Sequence, residues 1–146
     1  GDPTVPEVEQ RLDGFRDALR DMGKGAVGAT LPVHFVPEKA IEEISGFLDL
    51  AENLDGIFAT SDTIGMMAIQ ALIERGRNVP GEVKVIGFDD LEIARRTLPP
   101  LSSIRQDLEA GADALVERLF LKIEGKPAQS VSLRPTLAAR GSTLND

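Results

Sequence analysis

Between Asp55 and Asp90 the chain reads DGIFATSDTIGMMAIQALIERGRNVPGEVKVIGFDD, two short apolar runs joined by one helical pattern. Gly56 to Thr60 and Val83 to Gly87 are nearly continuous apolar stretches, as strands buried on both faces are. Parallel strands need a crossover, usually a helix, and the residues from Thr63 to Gly76 have the length and periodicity for one. Each run ends in a polar cluster, Ser61-Asp62 after the first and Phe88-Asp89-Asp90 after the second. A βαβ unit therefore sets both clusters at the carboxyl ends of neighbouring strands, the edge at which open α/β sheets bind ligands. The fold class expected is α/β, a doubly wound, mostly parallel sheet flanked by helices.

The rest of the chain supplies those helices. Thr4-Val5-Pro6-Glu7 reads as a capping box with Thr4 as N-cap, and Val8, Leu12, Phe15, Leu19 and Met22 then recur on one face until Gly23 stops the helix. Leu31 to Val36 reads as a strand or extended segment. A second helix opens at Pro37-Glu38, with Ile41, Ile44, Leu48 and Ala51 opposite an acidic face. In the helix from Thr63 to Arg75, Met66, Ile69 and Ile73 add apolar surface beside the main stripe, which calls for cover beyond the sheet, from other helices or a second subunit. Leu91 to Arg96 allows a single helical turn, and Pro99-Pro100 forbids regular structure. Ser102 to Gln106 reads as extended. Asp107, as N-cap, opens the longest helical pattern, with Leu108, Ala112, Leu115, Leu119 and Ile123 on one face and Gly125 as its stop. Ser130 to Arg140 reads as one extended stretch, and Gly141 to Asp146 as a frayed tail.

Composition removes several function classes. Twenty-four acidic against sixteen basic residues give a net charge of −8 over 146 residues, which offers no electrostatic footprint for nucleic acid or an anionic membrane. With no cysteine and only His34, thiol chemistry, a histidine triad or a zinc cluster has little to build with. No P-loop, Gly-x-Gly-x-x-Gly or Gly-x-Ser-x-Gly element is present. The chain reads as a non-enzyme, without metal or cofactor and without a membrane span.

Several stretches carry a specific resemblance in order and spacing: RLDGF at 11–15, TSDTIGMMAIQALIERGRNVPGEVKVIGFDD, TLPPLSSIRQD, the helix ending in IEGKP, and LRPTLAARGST. Together the chain resembles the effector-binding domain of LacI/GalR-family transcription regulators, which share the fold of periplasmic sugar-binding proteins. The resemblance implies two α/β lobes closing on a small sugar-like or nucleoside-like effector, a homodimer in the cytoplasm, and operator DNA bound only through a separate N-terminal reader. Against that family, residues 1–106 correspond to the C-terminal lobe without its first strand. Residues 107–129 hold a helix that relatives pack with the N-terminal lobe, and 130–146 the returning segment and tail. With that partner absent, the helix is expected either to repack on its own sheet or to pair with another copy.

The same resemblance assigns ligand-binding roles to Arg11, Phe35, Ser61, Asp62, Asp89 and Gln106. Arg11 offers a planar fork of donors, Asp89 a carboxylate acceptor at a strand end, Phe35 a stacking ring, and Gln106 an amide at the crossover. Of Ser61 and Asp62, one is expected to cap the helix and the other to face the cleft. Asp90 is expected to cap the turn that follows it. Met66, Ile69, Gln70, Ile73, Arg96, Thr97 and Leu98 are expected at the dimer interface, and exchanging Met66 and Ile69 for Glu is expected to give a folded monomer. Two other classes share features of this sequence. A periplasmic or lipoprotein solute receptor has the same lobe, and a magnesium-dependent phosphotransfer protein would use Asp89 and Asp90 as paired acids.

Overall fold

The computed structural model describes residues 4–23, 29–33, 37–51 and 53–144. Among these residues four strands, β1 (Gly56–Phe58), β2 (Lys84–Phe88), β3 (Ser102–Arg105) and β4 (Thr136–Ala138), form one sheet in that order. The first three are parallel and β4 runs antiparallel to β3. Among the described residues five helices accompany them: α1 (Pro6–Asp21), α2 (Pro37–Leu50), α3 (Asp62–Glu74), α4 (Glu92–Arg96) and α5 (Leu108–Ile123). The expected βαβ unit is β1, α3 and β2, and it carries the core.

Ile64, Met67, Ala68, Ala71 and Leu72 of α3 are buried as their spacing predicts, against Val83 and Val85 of the sheet side and Ala40, Ile44 and Leu48 of α2. Cover for the wide apolar surface of α3 thus comes largely from α2. Arg75, just past α3, fastens the pair by donating to Asp49 Oδ1 at 2.8 Å and to the Ser45 carbonyl at 2.9 Å. Ile69 lies in that core at 2% exposure, so its place at a dimer interface is corrected. Its exchange for Glu would bury an unpaired charge and unfold the chain rather than merely separate subunits.

Other expectations shift for local reasons. The N-cap of α1 is Val5, with no side-chain cap, because Pro6 lacks an N–H and takes the first helical position. Gly23 follows the helix at φ 64°, the left-handed conformation that closes it. Among the described part of the 31–36 stretch, Leu31 to Val33 form no strand, and Phe35 lies outside the described residues. Asp107 caps α5 by accepting from the Ala110 N–H at 3.0 Å, as expected. No residue of α5 is buried, however: Leu115 is 74% exposed, and Leu119 and Ile123 are open as well. Repacking of this helix on its own sheet does not occur.

The tail is not frayed through Leu144. Ser142 is fully buried beside the sheet. Its hydroxyl donates to the Val85 carbonyl at 2.6 Å and accepts from the Ser102 N–H at 2.8 Å, while its carbonyl accepts from the Val85 N–H at 3.0 Å. The segment after β4 therefore staples β2 to β3 from outside the ladder. Ser142→Ala leaves a buried carbonyl and a buried N–H without partners, and the expected cost is about 2 kcal/mol. Urea unfolding of the two proteins measures it; equal midpoints would show that water or backbone adjustment replaces the hydroxyl.

Candidate functional site

Phe15 of α1 stacks on Phe58 of β1, with ring centroids 4.9 Å apart, which holds α1 against that strand. One helical turn before Phe15, Arg11 lies on the same face and reaches the strand ends. One terminal nitrogen donates to the Thr60 carbonyl at 2.8 Å, just past β1. The other lies 3.2 Å from Asp89 Oδ1, just past β2, and the guanidinium carbon sits 4.0 Å from the centroid of the Phe88 ring. Gln106, just past β3, donates to the same Asp89 oxygen at 2.8 Å. Three strand ends thus meet at one carboxylate, one guanidinium and one amide, all partly open to solvent. Further N–H groups of the Arg11 fork and the second Asp89 oxygen are the kind of paired donor and acceptor that recognise neighbouring hydroxyls.

Of the residues expected at the site, Arg11, Asp89 and Gln106 are brought together. Ser61 is the N-cap of α3, its hydroxyl accepting from the Ile64 N–H at 3.4 Å. Asp62 does not face the cleft. It is fully buried, accepting from Ser103 Oγ–H and the Leu91 N–H, each at 2.6 Å. Asp62, not Asp90, therefore takes the main-chain donor at the start of α4. Burial pushes the Asp62 carboxyl above its ordinary range, with the charges of Asp89 and Asp90 adding to the rise, while the bonds from Ser103 and Leu91 oppose it.

Asp90 instead gathers arginines. Arg140 donates to one of its oxygens, and Arg105 Nε at 2.6 Å and Arg95 at 3.5 Å reach the other. Burial works against its charge, but the bonds from Arg140 and Arg105 and the nearby positive charge prevail and hold its carboxyl below the ordinary range. Asp89 and Asp90 consequently point to different cationic partners. This arrangement does not present the two acids to one cation, and among the described residues no group of three potential metal-ligating side chains comes together. Phe88 and Thr60 are contacts the sequence reading did not single out. The aromatic before the acidic pair was the available signal for Phe88, whereas a main-chain acceptor such as Thr60 leaves none.

A cavity of about 710 Å³ lies elsewhere, lined by residues of α1, α2 and β1. Leu12, Phe15 and Leu19 line it together with Phe47 and Ile57, and the Thr60 hydroxyl is buried there with no partner among the described residues. Its walls are apolar and run along a strand edge, whereas specific small-molecule sites need convergent polar groups. Those groups are at Arg11, Asp89 and Gln106.

Residues 1–143 match the family model described as a periplasmic binding protein-like domain. The regulator CelR of Thermobifida fusca is 32% identical over 126 residues, covering 85% of this chain and 37% of that protein. The repressor PurR of Actinobacillus pleuropneumoniae is 31% identical over 149 residues, covering 94% and 42%. The chain thus spans about two fifths of the length of the curated relatives it matches. Among solved structures, a CelR–cellobiose complex superimposes with a TM-score of 0.79 at 31% identity, over 90% of this chain and 41% of that one. The Escherichia coli repressor AscG gives 0.84 at 29% identity, over 99% and 54%. A lac repressor dimer bound to operator gives 0.89 at 23% identity, over 99% and 51%, a likeness of fold. No helix among the described residues is long and apolar enough to cross a membrane. With its parallel sheet, its polar strand ends and these relatives, the chain belongs to the periplasmic-binding-protein-like domains of LacI-family transcription regulators.

Proposed function

We propose that this chain is the effector-sensing and dimerising part of a cytoplasmic regulator that binds a neutral, sugar-like or nucleoside-like molecule at Arg11, Asp89 and Gln106. The observation that carries the reading is the convergence of those three side chains on one point of the sheet's carboxyl edge. Guanidinium and carboxylate stand as a pair, so the site presents donors and acceptors with little net charge, which suits hydroxyl-rich ligands more than anions. A ligand acts by favouring one of two closure states, through its differential affinity for them. Operator contact falls to sequence outside residues 1–146, since this domain is strongly acidic. The cavity along β1 is assigned, on the same reading, to a further strand of the lobe. That matched relatives are named as transcription regulators favours this role over a solute receptor or an enzyme.

Cellobiose and lactose, the ligands named in two related complexes, are the first probes. Calorimetry on the full-length gene product is expected to show binding of a ligand of this class that Arg11→Met weakens by about tenfold or more, the worth of a charge-assisted bond. Binding that is indifferent to Arg11→Met would place the ligand elsewhere.

For the homodimer, the surface that stays open on α3 and at the end of α4 includes Gln70, Ile73, Arg96 and Leu98, with Met66 and Thr97 half-buried beside it. Ile73 is 51% and Leu98 83% exposed, which a soluble monomer has no need of. Ile73→Glu with Leu98→Glu is expected to convert dimer to monomer in sedimentation with an unchanged circular dichroism spectrum. A persistent dimer would move the interface to another face.

A further inference from the structure

The corner that carries Asp89 is bent in an uncommon way. Asp89 and Asp90 have φ of 102° and 53°, two consecutive non-glycine residues in the left-handed region, a conformation that persists only where surroundings over-determine it. Here the three successive N–H groups of residues 89, 90 and 91 each meet a fixed acceptor. Asp89 donates to the Ile104 carbonyl at 2.9 Å, Asp90 to the Ser103 hydroxyl at 3.0 Å, and Leu91 to Asp62 Oδ2 at 2.6 Å. Ser103 in turn donates to Asp62 Oδ1 at 2.6 Å. The direction of that bond is settled, because the Ser103 oxygen already accepts from Asp90 and an ionised Asp62 can only accept.

Neither Ser103 nor Asp62 is exposed, and neither touches the open side of the site. Among the described residues, the hydrogen-bond partners of these two side chains are each other and the corner. We propose that Ser103 and Asp62 are positioning residues: through the N–H groups of residues 90 and 91 they fix the corner so that the Asp89 carboxylate meets Arg11 and Gln106. The inference rests on the reading of those three residues as the effector site, and it adds the pair that sets their geometry from beneath. It also explains why a buried carboxylate is kept at a helix start already capped by Ser61.

A double-mutant cycle on the full-length gene product tests it without a ligand. Arg11 and Ser103 share no contact, so a rigid scaffold predicts that Arg11→Met lowers the melting temperature equally with and without Ser103→Ala. With the clamp, the Arg11→Met shift is expected to fall by half or more in the Ser103→Ala background, because Asp89 no longer faces Arg11. Additive shifts would overturn the proposal. Asp62→Asn provides a second cycle should Ser103→Ala not fold; its amide can still accept from Ser103 but sets an NH2 group against the Leu91 N–H. With cellobiose or lactose as probe, Ser103→Ala is expected to weaken binding by tenfold or more, and an unchanged Kd would again overturn the proposal. Failure of both sugars to bind would count against the effector reading, while the melting-temperature cycle would still decide the clamp.

Discussion

Gly87→Ala is expected to destabilise the domain by about 4 kcal/mol, a large share of what a domain of this size possesses. A Cβ built on Gly87 falls 2.3 Å from Asp62 Oδ1, 3.2 Å from the Asp62 Cα and 3.0 Å from Leu101 Cδ2. Nothing at that point is the loose end of a surface side chain. Asp62 is fully buried at the start of α3, and Leu101 is a core residue at the entry to β3. To admit the methyl group the carboxylate must leave Ser103 and the Leu91 N–H, so the cost combines overpacking with the loss of two bonds to a buried charge. Gly46, on the open face of α2, is the control: a Cβ there meets nothing within 4 Å, and Gly46→Ala is expected to raise stability by about 0.5–1 kcal/mol. Chemical denaturation of both variants measures the contrast. A Gly87→Ala midpoint close to the parent would mean that α3 moves away from β2 without penalty, and the account of Asp62 as a fixed brace would fail.

The same geometry shows what the sequence could and could not disclose. Periodicity located α3 and α5 to within a residue or two and the start of α2, because an amphipathic stripe is a local property. Apolar runs likewise located β1 and β2. Resemblance brought Arg11, Asp89 and Gln106 forward, and the fold brings these three together. What failed were statements about which polar side chain meets which distant donor. Asp62 and Asp90 are both acids at strand or helix ends, and local chemistry allows either to cap a turn. Their fates are separated by Ser103 and Arg140, 41 and 50 residues away in the chain. Ser142 shows the same limit. A serine in a polar tail looks frayed until the ladder of β2 and β3 is seen to leave it a slot between Val85 and Ser102. Ile69 erred in the other direction, since it is buried within the chain while Ile73, four residues on, stays open.

Asp90 carries the second large effect, one that depends on pH. Its side chain is only 3% exposed and takes guanidinium donors from Arg140, Arg105 and Arg95, while its own N–H goes to Ser103. Asp90→Asn keeps the shape and removes the charge, leaving Arg140, itself mostly buried, facing a neutral group. The expected loss at neutral pH is about 3 kcal/mol, at the lower end for a broken buried pair because Arg105 and Arg95 reach water. Folding lowers the Asp90 carboxyl from its ordinary value of 3.8, so its contribution is complete above that value and fades as pH falls through the lower folded value. Folding raises Asp62, so that group contributes with the opposite sign: stability declines as pH rises from 3.8 through its higher folded value. Asp62 is present in both proteins, so its effect cancels in their difference except for the part of its rise that the Asp90 charge itself supplies. Urea unfolding of parent and Asp90→Asn between pH 3 and pH 7 should therefore give a constant gap above about pH 5 that begins to narrow below about pH 4. A gap that is equally wide at both ends would show that the arginines are held by shape and hydrogen bonding rather than by the charge of Asp90.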